Sequence, residues 1–268
     1  MKIAALQMTS SADVSANLEN AGQLLEEAAH AEARVAVLPE NFAFMGLADV
    51  DKRKVAEAEG SGPIQQFLAS TAARLRLWIV AGTMPMRVPG EDRVAAACPV
   101  YDASGRLVAR YDKIHLFDVD IPDRDERYHE SANIVPGKTS IVADTPVGRI
   151  GLTVCYDVRF PELFRQLGAA GAQLFTVPSA FTAPTGRAHW ESLLRARAIE
   201  NLCYVVAPAQ SGFHQNRRET YGDSMIIDYW GRVLCRKPRG RGVLVAEVDL
   251  ERQREVRASF PVLEHRVL

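Results

Sequence analysis

Three side chains of this sequence could do chemistry together, because Glu40, Lys113 and Cys155 each come just after a predicted strand. The ends of buried strands are where α/β folds place their sites. A thiol needs a base to become a nucleophile, and a carboxylate can serve as that base. A tetrahedral intermediate needs donors aimed at its oxygen, which an ammonium and a backbone N–H can supply. The three residue types therefore predict nucleophilic attack on an acyl group, although a lone glutamate or lysine after a strand is most often only solvated.

Cys155 is the most informative of the four cysteines because it lies where an apolar strand passes into a helix. Unpaired N–H groups and the helix dipole at such a junction favour a thiolate and can bind an oxyanion. Cys98 and Cys203 are instead expected to pack in the core, as buried cysteines commonly do. The sequence has no Cys-x-x-Cys pair and no histidine at zinc-ligand spacing, so it predicts no metal site.

Other catalytic and phosphate-binding motifs are absent or incomplete. The sequence has no Gly-x-Ser-x-Gly and no His-Glu-x-x-His. Gly137-Lys138-Thr139 is similar to the end of a phosphate loop, but Ala132 stands where the earlier glycine is required. Gly240-Arg241-Gly242 lacks the third glycine of a dinucleotide loop and precedes a strand. Both segments are therefore predicted to be turns.

The elements that would position these residues alternate between short apolar runs and amphipathic stretches. Predicted strands cover residues 2–8, 35–38, 77–82, 149–154, 172–177, 203–208 and 243–248, and predicted helices cover 17–33, 62–75, 160–170 and 189–201. Predicted hairpins join 94–101 to 106–111 and 223–229 to 232–234. Ser15 is the expected N-cap of the first helix. Helices that cross between buried strands in both halves predict an α/β fold, with two mixed sheets packed together and helices outside.

The stretch from Asp112 to Gly137 is polar and too long for a plain connector, which predicts a functional segment. Within it, residues 121–128 carry an unusual density of charge. No composition shift or flexible linker divides the chain, so residues 1–268 are expected to form a single domain.

Length and composition exclude several classes of protein. The chain has 268 residues, 47% of them hydrophobic, with 32 Lys and Arg against 33 Asp and Glu. This balance is typical of a globular protein and argues against a nucleic-acid binder or a disordered chain. No apolar stretch approaches the ~18 residues of a membrane span. Because residues 1–7 run straight into a strand without a targeting pattern, we expect a cytoplasmic protein with free thiols.

Three segments of the chain resemble those that bear the catalytic residues of the nitrilase superfamily of carbon–nitrogen hydrolases. They are Leu38-Pro39-Glu40, Tyr111-Asp112-Lys113-Ile114-His115-Leu116 and Cys155-Tyr156-Asp157-Val158-Arg159-Phe160-Pro161-Glu162, in the family's order and at its usual intervals. Glu130, in Tyr128-His129-Glu130-Ser131, matches a fourth position next to the lysine. The resemblance covers essentially the whole chain. It implies a four-layer αββα sandwich, a homodimer or larger homo-oligomer paired through helices, and no metal or organic cofactor.

The resemblance also implies a mechanism. Glu40 would take the proton of Cys155, which attacks the carbon of a small-molecule amide. Lys113 and the backbone N–H of Tyr156 would hold the oxyanion, while Glu130 fixes Lys113. Ammonia would leave, and water activated by Glu40 would release the acid from a thioester.

Segments in the second half resemble one branch of the family, the deaminated glutathione amidases. They are residues 193–200, 203–207, 209–212 and 221–225, with Asp223 where that branch usually has histidine. The branch implies an amide that carries a carboxylate. The alternatives are an omega-amidase acting on alpha-keto-glutaramate, an N-carbamoyl-amino-acid amidohydrolase, a nitrilase and a non-enzymatic interaction protein.

Further residues are expected to bind substrate. Arg159 stands four residues after Cys155, a position that binds a substrate carboxylate in related carbamoyl-cleaving enzymes, although a bond to Glu162 or a carbonyl is an equal alternative. The ring of Phe42 and Tyr156 are the other expected substrate contacts. His189 and Trp190 lie near the start of a predicted helix and could line the cleft, but helix capping and core packing explain them as well. His115 is expected to be a structural hydrogen-bonding residue rather than a catalytic base.

Overall fold

The computed structural model describes residues 1–121 and 126–267, so part of the charged segment 121–128, and Leu268, lie outside the described residues. The helices are α1 (Val14–His30), α2 (Pro63–Leu75), α3 (Pro161–Ala169), α4 (Ala183–Asn201) and α5 (Leu250–Ser259). The strands are β1 (Lys2–Gln7), β2 (Ala33–Val37), β3 (Trp78–Val80), β4 (Met84–Arg87), β5 (Val94–Tyr101), β6 (Leu107–Asp112), β7 (Asp118–Asp120), β8 (Arg127–His129), β9 (Val142–Thr145), β10 (Gly148–Leu152), β11 (Leu174–Thr176), β12 (Tyr204–Ala207), β13 (Ser211–Phe213), β14 (Glu219–Tyr221), β15 (Ser224–Ile227), β16 (Val233–Lys237) and β17 (Gly242–Glu247). Short 3₁₀ helices cover Asp49–Lys54, Glu130–Ala132 and Cys155–Arg159.

Most strands of the described ranges join one of two large sheets. The first has the order β17-β1-β2-β3-β5-β4, with β6 also paired to β5, and the second has the order β16-β15-β12-β11-β10-β9. In the first sheet β1 runs parallel to β2 and antiparallel to β17. In the second, β11 runs parallel to β10 and β12, whereas β15 is antiparallel to β12. Both sheets are therefore mixed, as the sequence predicts.

Strand β1 shows how the layers are stacked, because alternate side chains of a strand point to opposite faces of its sheet. Ile3 and Ala5 belong to a core cluster that also contains Leu152 of the second sheet. Ala4 and Leu6 belong to a separate cluster formed with α1 and α2. Helices α3 and α4 pack against β10 and β12 of the second sheet. The predicted αββα sandwich of two mixed sheets with helices outside is confirmed.

Two helices begin earlier than predicted because their caps lie upstream. Asp13, rather than Ser15, caps α1 by accepting a hydrogen bond from the N–H of Ala16 at 3.1 Å, so the prediction of Ser15 as the cap was wrong. Helix α4 begins at Ala183 and is capped by the side chain of Thr182. None of the helices in the described residues combines the length and the apolar character that crossing a membrane requires.

Candidate active site

Glu40 lies in the loop after β2, and its carboxylate is held at both oxygens. Oε1 accepts a hydrogen bond from Nζ of Lys113 at 2.9 Å, and Oε2 accepts one from the N–H of Ala180 at 2.8 Å. The loop packs tightly on Gly82, since a Cβ built there would lie 2.0 Å from the carbonyl oxygen of Pro39. Gly82 also has a φ of +57°, a conformation that favours glycine. This close backbone approach fixes the position of the Glu40 carboxylate.

Lys113 follows β6, and its main chain is bonded on both sides. Its N–H donates to the carbonyl of Ala96 at 3.0 Å, and its carbonyl accepts from the N–H of Gly137 at 2.8 Å. Nζ lies 2.9 Å from Oε1 of Glu40 and 2.8 Å from Oε2 of Glu130. A buried charge is tolerated when it is paired and hydrogen-bonded. The two carboxylates therefore keep Lys113 charged although the residue is only 1% exposed.

Glu130 begins the 3₁₀ turn after β8, within the polar segment predicted to be functional. Both of its carboxylate oxygens accept hydrogen bonds from Nζ of Lys113, at 3.0 and 2.8 Å. Oε2 also accepts from the N–H of Phe117 at 2.7 Å. Glu130 therefore fixes the ammonium to the loop that precedes β7.

Cys155 follows β10 and begins a 3₁₀ turn with a φ of +49°. Residues other than glycine rarely adopt this left-handed conformation, and such strain occurs at functional sites where the surrounding structure holds it. The N–H of Cys155 donates to the carbonyl of Pro178 at 2.9 Å. Cys155 lines the same cleft as Glu40 and Lys113. The next N–H, that of Tyr156, lies in the first turn, where amides have no intrahelical acceptor.

Asp157 ties the turn after β10 to the loop after β6. Its carboxylate is fully buried and accepts hydrogen bonds from the hydroxyl of Tyr111 at 2.7 Å and the N–H of Val154 at 2.8 Å. It also accepts from the N–H of His115 at 3.1 Å, and Nδ1 of His115 lies 2.7 Å from it. His115 therefore has a hydrogen-bonding role, in agreement with the structural alternative. In residues 1–121 and 126–267, no cluster of His, Cys, Asp and Glu has the makeup of a metal site.

The charges of the site determine which groups carry protons. Burial alone would raise the pKa of Glu40, but the adjoining Lys113 ammonium brings that pKa below its ordinary value. Burial alone would lower the pKa of Lys113, yet Glu130 and Glu40 raise it well above the ordinary value. Burial raises the pKa of the Cys155 thiol, and Glu40 raises it further. These directions favour a neutral thiol beside a carboxylate, because burial and Glu40 oppose the thiolate-favouring effects of Lys113 and of the strand-to-helix junction.

Of the three residues expected to contact the substrate, the structure places one at the cleft and two away from its lining. Tyr156 lines the cleft together with Phe181, whereas neither Phe42 nor Arg159 is among the residues that border it. Phe42 is fully buried in the core cluster under α1 and α2. The guanidinium carbon of Arg159 lies 5.7 Å and 5.5 Å from the ring centroids of Tyr156 and Phe181. Arg159 therefore contacts two side chains of the cleft wall, and direct contact of Phe42 or Arg159 with a substrate stays a prediction.

The two residues at the predicted start of α4 differ in their environments. Trp190 is buried, and its Nε1 donates to the carbonyl of Asp223 at 2.8 Å, which is the packing role given as its alternative. His189 contacts Arg159, with Nδ1 3.3 Å from Nη1. Neither His189 nor Trp190 is among the residues that line the cleft.

Several residues that line the cleft were not predicted from the sequence, and three of them have long side chains that carry charge or a ring. Lys52 comes from a 3₁₀ helix, Tyr128 from β8, and Arg218 from the turn between β13 and β14. The guanidinium carbon of Arg218 lies 4.7 Å from the ring centroid of Tyr128. Tyr128 had one indication in the sequence, its place in the polar segment 112–137. Lys52 and Arg218 had none, because a charged residue in a short turn is ordinarily exposed.

Comparison with known proteins places this geometry in a family. Residues 2–258 match the family described as carbon-nitrogen hydrolase. The chain is 44% identical over 267 residues to a Synechocystis protein named deaminated glutathione amidase, covering 98% of this chain and 97% of that protein. It is 40% identical over 270 residues to the human protein of the same name, covering 98% of this chain and 81% of that one.

The fold agrees with this assignment. The crystal structure of the Caenorhabditis elegans NitFhit protein superposes with a TM-score of 0.91 at 39% identity, covering 99% of this chain and 65% of that one. The Saccharomyces cerevisiae protein Nit3, described as a member of branch 10 of the nitrilase superfamily, superposes with a TM-score of 0.89 at 31% identity, covering 100% of this chain and 97% of that one. The chain therefore belongs to the carbon-nitrogen hydrolase family within the nitrilase superfamily, and it is a hydrolase of carbon–nitrogen bonds other than peptide bonds.

Proposed function

We propose that this protein hydrolyses deaminated glutathione by a cysteine-dependent amidase mechanism. The observation that carries the chemistry is the position of the Lys113 ammonium, 2.9 Å from Glu40 and 2.8 Å from Glu130 in the cleft that Cys155 borders. The substrate is supported by relatives at 40–44% identity that bear this name. Deaminated glutathione is an amide with a carboxylate at each end, which agrees with the carboxylate-bearing amide expected from the sequence.

The first half of the reaction forms a thioester. Sγ of Cys155 bonds to the amide carbon while its proton passes to the Glu40 carboxylate, and the carbonyl oxygen becomes an oxyanion. Nζ of Lys113 and the N–H of Tyr156 donate to that oxyanion. The carbon–nitrogen bond then breaks as Glu40 returns the proton to nitrogen, so that a neutral amine leaves.

The second half releases the acid. Water adds to the thioester carbon while Glu40 takes one of its protons, and Lys113 again receives the oxyanion. The carbon–sulfur bond breaks, and the proton returns to Sγ of Cys155. The sum of the two halves is amide plus water giving acid plus amine, with every group of the site restored.

The leaving group depends on which amide is bound. A primary amide releases ammonia, whereas deaminated glutathione has a secondary amide and releases the amine of the dipeptide cysteinylglycine. Both amines take their proton from the same carboxylate. An assay must therefore follow the released amine or the keto acid as well as ammonia.

Turnover of matched substrates tests the proposal. The wild-type protein is assayed with deaminated glutathione, alpha-keto-glutaramate, an N-carbamoyl amino acid and a nitrile. We expect the highest kcat/KM for deaminated glutathione. Cys155→Ala should lower it by at least about 10³-fold with the fold intact, because removal of a nucleophile leaves only the binding contribution. Cys235→Ala is the control, since Cys235 lies on β16 and does not line the cleft.

Each alternative has its own outcome. A higher kcat/KM for alpha-keto-glutaramate, the carbamoyl compound or the nitrile would replace the proposed substrate while keeping the mechanism. Turnover that survives in Cys155→Ala would refute the mechanism. A folded wild-type protein that turns over none of the four would favour the non-enzymatic alternative.

We also infer the setting in which the enzyme works. The family match over residues 2–258 supports a single hydrolase domain over residues 1–268. We propose that the protein forms a homodimer or larger homo-oligomer through its helices, and that it acts in the cytoplasm on a small molecule, without a nucleic-acid or membrane partner and without a cofactor. Sedimentation analysis tests the assembly, since a monomer at micromolar concentration would contradict it.

A further inference from the structure

Arg218 borders the cleft with a guanidinium that lacks an acceptor at one buried nitrogen. The residue precedes β14, and its Nη2 makes one long hydrogen bond, 3.4 Å, to the carbonyl of Ala180. Its Nε is buried and has no hydrogen-bond partner. Its plane is supported by the ring of Tyr128, whose centroid lies 4.7 Å from the guanidinium carbon. A buried N–H without an acceptor is rare in folded proteins and requires an explanation.

No carboxylate of the described residues forms an ion pair with Arg218. Other arginines of the chain do have such partners, as in the pairs Arg236–Asp223 and Arg197–Glu200. Guanidinium remains charged at all ordinary pH values and presents its donors in a planar fork that matches a carboxylate. Arg218 therefore has the charge, the planar support and the unused donor that a carboxylate ligand would complete.

The position of Arg218 relates it directly to the proposed base. Ala180 donates its N–H to Oε2 of Glu40 at 2.8 Å, and its carbonyl oxygen accepts from Nη2 of Arg218 at 3.4 Å. Arg218 is therefore linked through a single residue to the carboxylate that is proposed to transfer the protons. Lys52 also lines the cleft, so a second cation faces the same space.

Charge balance favours an anionic ligand at this place. The cleft is lined by three carboxylates, those of Glu40, Asp49 and Glu130. Two ammonium groups, those of Lys52 and Lys113, oppose them, so the lining without Arg218 has a net charge of one negative unit, which would repel a substrate carboxylate. Arg159, the residue expected from the sequence to bind that carboxylate, contacts His189 and does not border the cleft. Arg218 supplies the missing positive charge.

We propose that Arg218 binds a carboxylate of the substrate and makes the enzyme select anionic over neutral amides. The inference rests on the proposed amidase function and adds a specificity-determining residue to it. The carboxylate can belong to the acyl part of the amide or to its leaving group, and the two share the chemistry that Arg218 recognises.

The decisive measurement is a ratio of kcat/KM values for matched substrates. Alpha-keto-glutaramate, which has an acyl carboxylate, is compared with pentanamide, a neutral amide of the same chain length. If Arg218 binds the acyl carboxylate, Arg218→Met should lower kcat/KM for the anionic amide about 30-fold, mostly through KM, since hydrogen bonds to charged groups are the strong ones. Pentanamide should change by less than about 3-fold, because it does not bind the guanidinium. Arg218→Lys should lie between, since it keeps the charge and loses the fork.

Arg217→Met is the matched control. Arg217 is exposed in the same turn and does not line the cleft, so its removal subtracts one positive charge nearby without touching the proposed contact. We expect both kcat/KM values of this variant to stay at the wild-type level. An equal fall in Arg217→Met and Arg218→Met would assign the effect to general electrostatics and overturn the proposal.

A second pair of substrates identifies the carboxylate. Deaminated glutathione is compared with the same compound amidated at its glycine end. If Arg218 binds the acyl carboxylate, Arg218→Met lowers kcat/KM for both compounds. If it binds the glycine carboxylate, only the unmodified compound is affected, and alpha-keto-glutaramate is spared in the first experiment.

The outcomes separate this inference from the proposed function. An equal loss for anionic and neutral amides in Arg218→Met, with an unchanged melting temperature, would refute carboxylate binding, as would no loss on any carboxylate-bearing amide. Failure of the wild-type protein to hydrolyse deaminated glutathione would refute the proposed substrate alone. Binding of an acyl carboxylate by Arg218 would still be measurable on alpha-keto-glutaramate, independently of that result.

Discussion

Replacing Glu130 by glutamine tests how the site holds its ammonium. In the wild-type protein, both carboxylate oxygens accept from Nζ of Lys113, and Oε2 also accepts from the N–H of Phe117 at 2.7 Å. Glutamine has the same shape but one oxygen and one NH₂ group, which only donates. In either orientation the NH₂ group faces Nζ of Lys113, so a donor opposes a donor, and in one orientation it also opposes the N–H of Phe117.

The magnitude follows from these contacts. Hydrogen bonds to charged groups contribute about 1.5–3 kcal/mol, and Glu130→Gln removes at least one such bond at Lys113. Lys113 keeps its bond to Glu40, so the ammonium stays in the site but is less firmly positioned. If the full amount is lost from the transition state, the rate falls by about 10- to 150-fold. The loss of a competing carboxylate would in itself favour the oxyanion, but we expect positioning to dominate because small displacements of a catalytic group are costly.

The assay is kcat/KM across a pH series, with the melting temperature measured in parallel. Glu130 raises the pKa of Lys113, so its removal should move the basic limb of the pH profile to lower pH, which a purely structural role would not do. Glu26→Gln is the control, because it breaks only an exposed ion pair with Arg74. A Glu130→Gln enzyme with kcat/KM within about 3-fold of wild type and an unmoved basic limb would refute the reasoning.

Three further predictions follow from the buried contacts. Asp157→Asn should lower the free energy of unfolding, measured with urea, by about 2–4 kcal/mol. The reason is that the new NH₂ group faces the hydroxyl of Tyr111 or a backbone N–H, both of which are donors. A loss under about 1 kcal/mol would contradict this. Gly82→Ala should lower both kcat/KM and the melting temperature, because the new Cβ would lie 2.0 Å from a carbonyl oxygen of the Glu40 loop. Wild-type values of both quantities would contradict this prediction. Lys113 lowers the pKa of Glu40 in the folded state, so the stabilisation from the charged carboxylate is present above the unfolded pKa of about 4.3 and is lost as the pH falls through the folded value. Acid denaturation should therefore be less steep in Glu40→Gln below about pH 4, and parallel curves would exclude this contribution.

The sequence predicted the candidate catalytic residues because each stands at the end of a strand within a segment typical of the family. Glu40, Lys113 and Glu130 meet through hydrogen bonds that join distant parts of the chain, as the resemblance implied. Asp157 lies in the same segment as Cys155, yet its role could not be predicted from the sequence. A carboxylate in a loop is ordinarily solvated, and only the fold shows the three donors that converge on it.

Other elements could not be predicted because long-range contacts determine them. Helix α5 is mostly charged and has no apolar stripe, so its sequence lacks the pattern that indicates a helix. It is held instead by polar contacts, in which Nε2 of Gln253 and Nε of Arg257 donate to the carbonyl of Leu202 at 2.8 and 3.1 Å. The pKa of Cys155 likewise depends on the fold, because local position indicates a helix dipole but not the burial that opposes it.

The distribution of charge explains how a thiol with a raised pKa can act as a nucleophile. With Glu40 and Glu130 ionised and Lys113 protonated, the site has one net negative charge while Cys155 is neutral. When the proton moves from Cys155 to Glu40, the negative charge leaves that carboxylate and reappears on the oxyanion, so the net charge of the site does not change. Lys113 contacts the charge before and after the step, and because Lys113 is buried this contact is stronger than in bulk water. Burial therefore suppresses the free thiolate without opposing attack, provided that proton transfer and carbon–sulfur bond formation occur together.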